Sequence, residues 1–143
     1  MKDDRTPTPE EVMTKVAELH DRVIAHFEGK AGELGLTLPQ ALLLRQLDSA
    51  IPMSEIAGKL HCDASNVTGI VDRLEARGLV ERRTRQDDRR VKEIVATTQG
   101  ERMRNRVSAL LSEIPGLSQM PADELATLLH LLSVALGRLP EEE

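Results

Sequence analysis

Two apolar quartets of identical spacing lie back to back in the middle of this chain, and they constrain its fold more than any other feature. Met53, Ile56, Ala57 and Leu60 fall at i, i+3, i+4 and i+7, and Val67, Ile70, Val71 and Leu74 repeat the pattern. At about 100° per residue each quartet makes one stripe on a short helix. His61-Cys62 makes the turn between them, Asp63 is a good N-cap for the second, and Arg77-Gly78 stops that helix with a glycine just past its end. Two short amphipathic helices joined by a tight turn define a helix-turn-helix.

The helix pair leads into a hairpin. Leu79–Thr84 and Val91–Ala96 have strand character, and the polar loop Arg85–Arg90 joins them. The hairpin is basic although the whole chain carries a net charge of -5. Arg73, Arg77, Arg82, Arg83, Arg85, Arg89, Arg90 and Lys92 stand against Glu75, Glu81, Asp87 and Asp88, a local balance of +4. The acid lies elsewhere, notably in Glu10-Glu11 and Glu141-Glu142-Glu143. Nucleic acid responds to local rather than global potential, so the acidic total does not exclude it. A charge run is by default a solvated face, and only the surrounding architecture argues for more.

Helices flank this centre on both sides. Thr6-Pro7-Thr8-Pro9 reads as the end of a loose arm over residues 1–9. Val12, Val16, Leu19, Val23 and Phe27 then form one stripe over about four turns, and Gly29, Gly32 and Gly35 are expected to end it. Thr37-Leu38-Pro39-Gln40 has the form of a capping box opening a helix to about Asp48. Its leucines at 38, 42, 43, 44 and 47 exceed one face, so burial on most sides is predicted. A further helix runs from Thr97 through Met103, Val107, Leu110 and Ile114 to Pro115-Gly116, and the last begins near Pro121. That last helix places Leu125, Leu128, Leu129, Leu132, Leu136 and Leu139 on one broad face. With one Phe and neither Trp nor Tyr, the core must be aliphatic, which suits packed helices.

Several function classes drop out. No stretch approaches the roughly 20 apolar residues of a membrane helix, and Met1-Lys2-Asp3-Asp4-Arg5 lacks a signal-peptide run, so a soluble cytoplasmic protein is expected. One cysteine makes neither an internal disulfide nor a CxxC pair. His20, His26, His61 and His130 show no i, i+4 spacing, and no Gly-rich phosphate loop or nucleophile–base pair is present. The expectation is a chain that is no enzyme and takes no metal and no cofactor.

The second helix of the pair turns Ser65, Gly69, Asp72 and Arg73 away from its apolar stripe, flanked by Asn66 and Thr68. Such a face can meet base edges: Arg grips guanine or phosphate, Asn pairs with adenine, and Ser or Thr serves either. Gly69 costs about 1 kcal/mol relative to Ala in mid-helix, and close approach to a groove is one reason to keep it. The plain alternative is an ordinary solvated face with an incidental glycine.

The string from Met53 to Gly100 resembles the MarR (multiple antibiotic resistance regulator) family in order and spacing. Ser54-Glu55-Ile56-Ala57 and the run from Ser65 to Val80 are similar to that family's third and fourth helices. Asp88-Arg89-Arg90, followed by Ala96-Thr97-Thr98-Gln99-Gly100, is similar to its wing signature, with Ala96 standing where Leu is usual. The resemblance extends more loosely over residues 10–140.

It implies a mainly α protein with a small β-wing, a winged helix-turn-helix flanked by long terminal dimerisation helices. The implied parts are an arm and dimerisation helix at 1–35, a DNA-binding lobe at 36–100 and C-terminal dimerisation helices at 101–143. The implied function is that of a bacterial transcription regulator, a ligand-responsive repressor binding a pseudo-palindromic operator in double-stranded DNA as a homodimer.

Residue by residue, Ser65, Asn66, Thr68, Gly69 and Arg73 would face the major groove, and Arg90 the minor groove with Asp88 holding it. Arg82, Arg83, Arg85, Arg89 and Lys92 would meet phosphates. Asp72 is awkward beside DNA and is better suited to orienting a neighbouring arginine. A small-molecule effector is implied as a further partner, and Phe27 is the one aromatic side chain available to line its pocket.

The competing reading is a winged-helix protein–protein interaction module that does not bind DNA, and the wing sequence argues against it. Cys62 invites a redox role, but its place at the turn is that of an apolar plug, so it is expected to fill core.

Overall fold

A computed structural model describes residues 5–139; the Met1–Asp4 start and the Glu141–Glu143 acid run lie outside the described residues. Residues up to Ser112 form one compact unit and those from Glu113 onward a second.

In the first unit, α1 (Pro9–Glu33) starts earlier than its apolar stripe. Thr8 ends the expected loose arm by acting as the N-cap: its backbone N–H donates to Glu11 Oε2 at 2.8 Å, and its hydroxyl accepts from the Glu11 N–H at 3.3 Å. The Thr8 N–H bond, with Arg5 beside it, holds the Glu11 carboxyl below the usual carboxylate range. Gly29 and Gly32 do not end the helix, since a glycine within a helix costs only about 1 kcal/mol relative to alanine; Gly35, at φ 68°, does. The Leu36 N–H returns to the Ala31 carbonyl and the Gly35 N–H to that of Gly32, closing a Schellman motif that needs a left-handed residue at position 35.

The capping box at Thr37–Gln40 is present and opens α2 (Leu38–Gln46), whose Leu38, Ala41, Leu43 and Leu44 are buried. Then come α3 (Met53–Leu60) and α4 (Ala64–Ala76), as their quartets predict. Between them His61 adopts φ 49°, the one non-glycine positive φ among the described residues. Asp63 occupies the N-cap of α4 in extended conformation, yet its side chain makes no capping bond there.

The wing is a three-stranded antiparallel sheet rather than a two-stranded hairpin. β2 (Val80–Thr84) and β3 (Lys92–Ala96) pair as expected, and β1 (Ile51–Pro52) adds to the other side of β3 through Ile51 opposite Ile94. This third strand anchors the hairpin to the residues that lead into α3.

Helix α5 (Thr98–Leu110) is capped by Thr97, whose hydroxyl accepts from the Gly100 N–H and donates to the Gly78 carbonyl. Gly100 sits so close to the preceding chain that a Cβ there would lie 1.8 Å from the Leu79 carbonyl oxygen. α5 ends a turn before the predicted Pro115, leaving Ile114 outside it. Ser112 Oγ donates to the Ala109 carbonyl and Ser118 Oγ accepts from the Ile114 N–H, local bonds that compete with continued helix. The core of this unit is aliphatic, with Leu43, Leu44, Ile56, Val71, Leu74, Leu79, Ile94 and Val107 all but fully buried.

The second unit is built on α6 (Ala122–Leu136), which opens with Asp123 and Glu124 in its first turn, where the helix dipole favours acids. None of its residues is buried in the single chain. Leu125, Leu129, Leu132, Leu136 and Leu139 are exposed, and in the first unit Val12, Met13, Val16 and Leu19 of α1 are exposed too.

Candidate nucleic-acid interface

Helix α4 buries Val67, Val71 and Leu74 against the core, which rotates its opposite side into solvent. Ser65, Asn66, Thr68, Gly69 and Arg73 are all exposed on it. A Cβ at Gly69 would meet nothing within 4 Å, so no packing among the described residues requires a glycine there. The face carries hydroxyls, an amide and one guanidinium.

The wing cations divide by what already holds them. Arg83 is paired with Glu81, Nε to Oε1 at 2.6 Å. Arg85 donates Nε to Glu93 at 3.3 Å, with Asp87 at 3.8 Å. Lys92 donates Nζ to the Thr84 hydroxyl at 2.6 Å. Arg82 donates to both Asp72 and Glu75 of α4, and the Asp72 bond is the main cause of a pKa raised beyond the usual guanidinium value. Arg82 therefore differs from the phosphate-facing side chain expected of it, because two carboxylates occupy its donors. Asp72 does orient an arginine, and the arginine is Arg82.

By contrast, the side chains of Arg73, Arg89 and Arg90 make no hydrogen bond or ion pair among the described residues, and all three are exposed. Asp88 holds Arg90 differently from the expected ion pair: Asp88 Oδ1 accepts from the Arg90 backbone N–H at 3.0 Å. That bond, with the Val91 N–H donating to the Asp88 carbonyl at 3.0 Å, shapes the loop and leaves the Arg90 guanidinium open to another acceptor. Arg77, counted in the basic run, is also engaged. It reaches back to the end of α1, donating Nη1 to the Gly35 carbonyl at 2.6 Å and Nη2 to that of Leu34 at 3.3 Å.

Cys62 packs only partly against the core. It also borders a cleft of about 460 Å³ between the start of α2 and the edge of α4, lined by Glu28, Gln40, Leu42, Ile70 and Arg73 among others. Phe27 is not part of that lining. No group of His, Cys, Asp and Glu able to hold a metal ion occurs among the described residues. No helix among them is long and apolar enough to cross a membrane.

The sequence profile of the MarR family matches residues 36–92, the stretch from α2 through the wing. Those residues are a MarR-family domain. The chain is 33% identical over 114 residues, 78% of its length, to the HTH-type transcriptional regulator TtmR of Methylorubrum extorquens. It spans about half of that relative, 54% of its length. Among solved structures, the transcriptional regulator BldR from Sulfolobus solfataricus superposes with a TM-score of 0.74 at 26% identity, covering 91% of this chain and 95% of that one. A mutant MarR from E. coli complexed with operator DNA gives a TM-score of 0.72 at 24% identity over 87% of this chain and 93% of that one. The mainly helical architecture with its small antiparallel wing is thus the winged-helix fold of the MarR family, and the relatives are regulators rather than enzymes.

Proposed function

We propose that this protein is a transcription regulator that binds double-stranded DNA sequence-specifically as a homodimer. The observation that carries this reading is that three exposed guanidiniums, Arg73 on α4 and Arg89 and Arg90 in the wing loop, are unpaired among the described residues, while α4 also exposes a small polar face. Ser65, Asn66, Thr68 and Gly69 enter the major groove, and Arg90 the minor groove, where A·T-rich sequence deepens the negative potential. Arg89 meets phosphate, and Arg83, Arg85 and Lys92 add positive charge that their pairing partly offsets.

The exposed apolar faces of α1 and of α6 supply the dimer contact. A two-fold dimer implies a pseudo-palindromic operator with half-sites about 10 base pairs apart. Operator occupancy by such a dimer blocks transcription, so repression is the proposed outcome, relieved by a small-molecule effector, and the setting is the cytoplasm. TtmR, a transcriptional regulator, and the MarR structure with operator DNA support the assignment.

A salt titration of binding to random-sequence duplex tests it. Three unpaired guanidiniums per protomer, doubled in the dimer, predict a slope of log K against log salt of about −5. A slope near zero would remove DNA and put the interaction-module reading in its place.

A further inference from the structure

Among the wing cations of the described residues, Arg82 alone bonds to an element outside the hairpin. Its Nη2 donates to Asp72 and its Nη1 to Glu75, while its backbone N–H donates to the second Glu75 oxygen at 3.3 Å. Asp72 and Glu75 stand three residues apart on α4 and Arg82 lies on β2, so one side chain ties the reading helix to the first strand of the hairpin. The trio of one guanidinium and two carboxylates carries a net charge of -1, the wrong sign for a phosphate contact.

We propose that Arg82 is a positioning residue that locks the wing to α4, so that the major-groove face and the wing tip are presented to DNA in one fixed register. The inference rests on the DNA-binding reading and says how its two halves cooperate. α4 and β2 are joined through Arg77-Gly78-Leu79, and Gly78 at φ 70° is the kind of residue about which a hairpin swings. Arg82 braces that joint from the far side. A planar guanidinium that donates in two directions fixes both separation and rotation, which a point charge does not. The distance from Asn66 to Arg90 then becomes a property of the protein, and the spacing between the central bases and the A·T-rich flank becomes part of what it reads.

The test uses the full chain and a duplex selected from random DNA, together with versions in which the A·T-rich flank is moved by one base pair relative to the centre. Wild type should lose about tenfold or more in affinity on each shifted duplex, the scale of one mismatched base pair. Arg82→Met, and separately the double variant Asp72→Asn with Glu75→Gln, should bring that ratio to within about threefold. Arg82→Lys should fall between them. A purely structural role would lower Tm and weaken all duplexes alike, leaving the ratio unchanged.

Arg82→Met should keep the wild-type salt slope. If a folded, dimeric Arg82→Met lowered the slope by about one counterion, Arg82 would be a phosphate contact and the proposal would be overturned. An unchanged register ratio in the Asp72→Asn, Glu75→Gln variant, which keeps side-chain shape even if Arg82→Met fails to fold, would overturn it as well. Failure of the underlying reading looks different: wild type would then select no duplex at all.

Discussion

Replacing Gly100 by alanine should destabilise this protein more than a methyl group added at any other glycine among the described residues. The added Cβ would lie 1.8 Å from the Leu79 carbonyl oxygen and 2.9 Å from its carbonyl carbon, both backbone atoms that no rotamer can move. An ordinary carbon–oxygen contact is about 3.3 Å, so the start of α5 must retreat by roughly 1.5 Å. That retreat breaks the bond from the Thr97 N–H to the Leu79 carbonyl at 3.0 Å, and loosens Thr97 Oγ1 to the Gly78 carbonyl at 2.6 Å. At about 1 kcal/mol net for each bond, with about 1–3 kcal/mol more for forcing the packed core around Leu79 and Val107, the loss comes to roughly 3–5 kcal/mol.

Urea unfolding followed by far-ultraviolet circular dichroism measures it, because a chain without Trp or Tyr offers little intrinsic fluorescence. Wild type and variant must be compared at one protomer concentration, since the proposed dimer would add to apparent stability. A loss under about 1 kcal/mol at unchanged m-value would refute the reasoning and mean that α5 does not bear on Leu79.

Four further outcomes are expected. Gly69→Ala should raise stability by up to about 1 kcal/mol, since its Cβ meets nothing, while weakening binding to the selected duplex; unchanged affinity would show that no groove approaches this position. Arg90→Ala should lower the salt slope by about one counterion, and Arg83→Ala, whose charge Glu81 already meets, by less; equal effects in parallel titrations would contradict the division of the wing cations. Cys62→Ser should cost under about 1 kcal/mol in thermal melts, below the roughly 1–3 kcal/mol of a fully buried unsatisfied hydroxyl, because Cys62 is only half-buried. The lowered Glu11 pKa means that its contribution to the start of α1 is present above the unfolded-state value and is lost as pH falls through the folded one; amide protection factors at Glu11 and Val12, which divide out the intrinsic exchange rate, should fall on acidification in wild type and not in Glu11→Gln.

The helices were legible because burial imposes a 3.6-residue period, and the quartets at Met53–Leu60 and Val67–Leu74 sit where α3 and α4 form. Phase alone does not mark an end, however: Ile114 keeps step with Val107 although α5 has stopped at Leu110. β1 was invisible for another reason. Two residues, Ile51-Pro52, carry no alternation, and they become a strand only because Ile94 lies across from them. The basic face of the interface could be read from charge, but not its division into engaged and open cations. Arg82 finds its acids seven and ten residues away across a helix–strand junction, and Arg77 finds carbonyls 42 and 43 residues back, pairings that no local spacing announces.

The outer strands of the small sheet also bear on how this protein behaves when concentrated. β1 is two residues long and ends in a proline, which has no N–H to offer a neighbour, and β2 runs Val80-Glu81-Arg82-Arg83-Thr84, with charge along most of its length. Neither edge is a template on which a second copy could extend the sheet, since proline and clustered charge are the devices that block edge-to-edge growth. The sheet thus gives the chain no route into fibrous aggregates, and the two-fold contact proposed for its helices would close on itself rather than propagate.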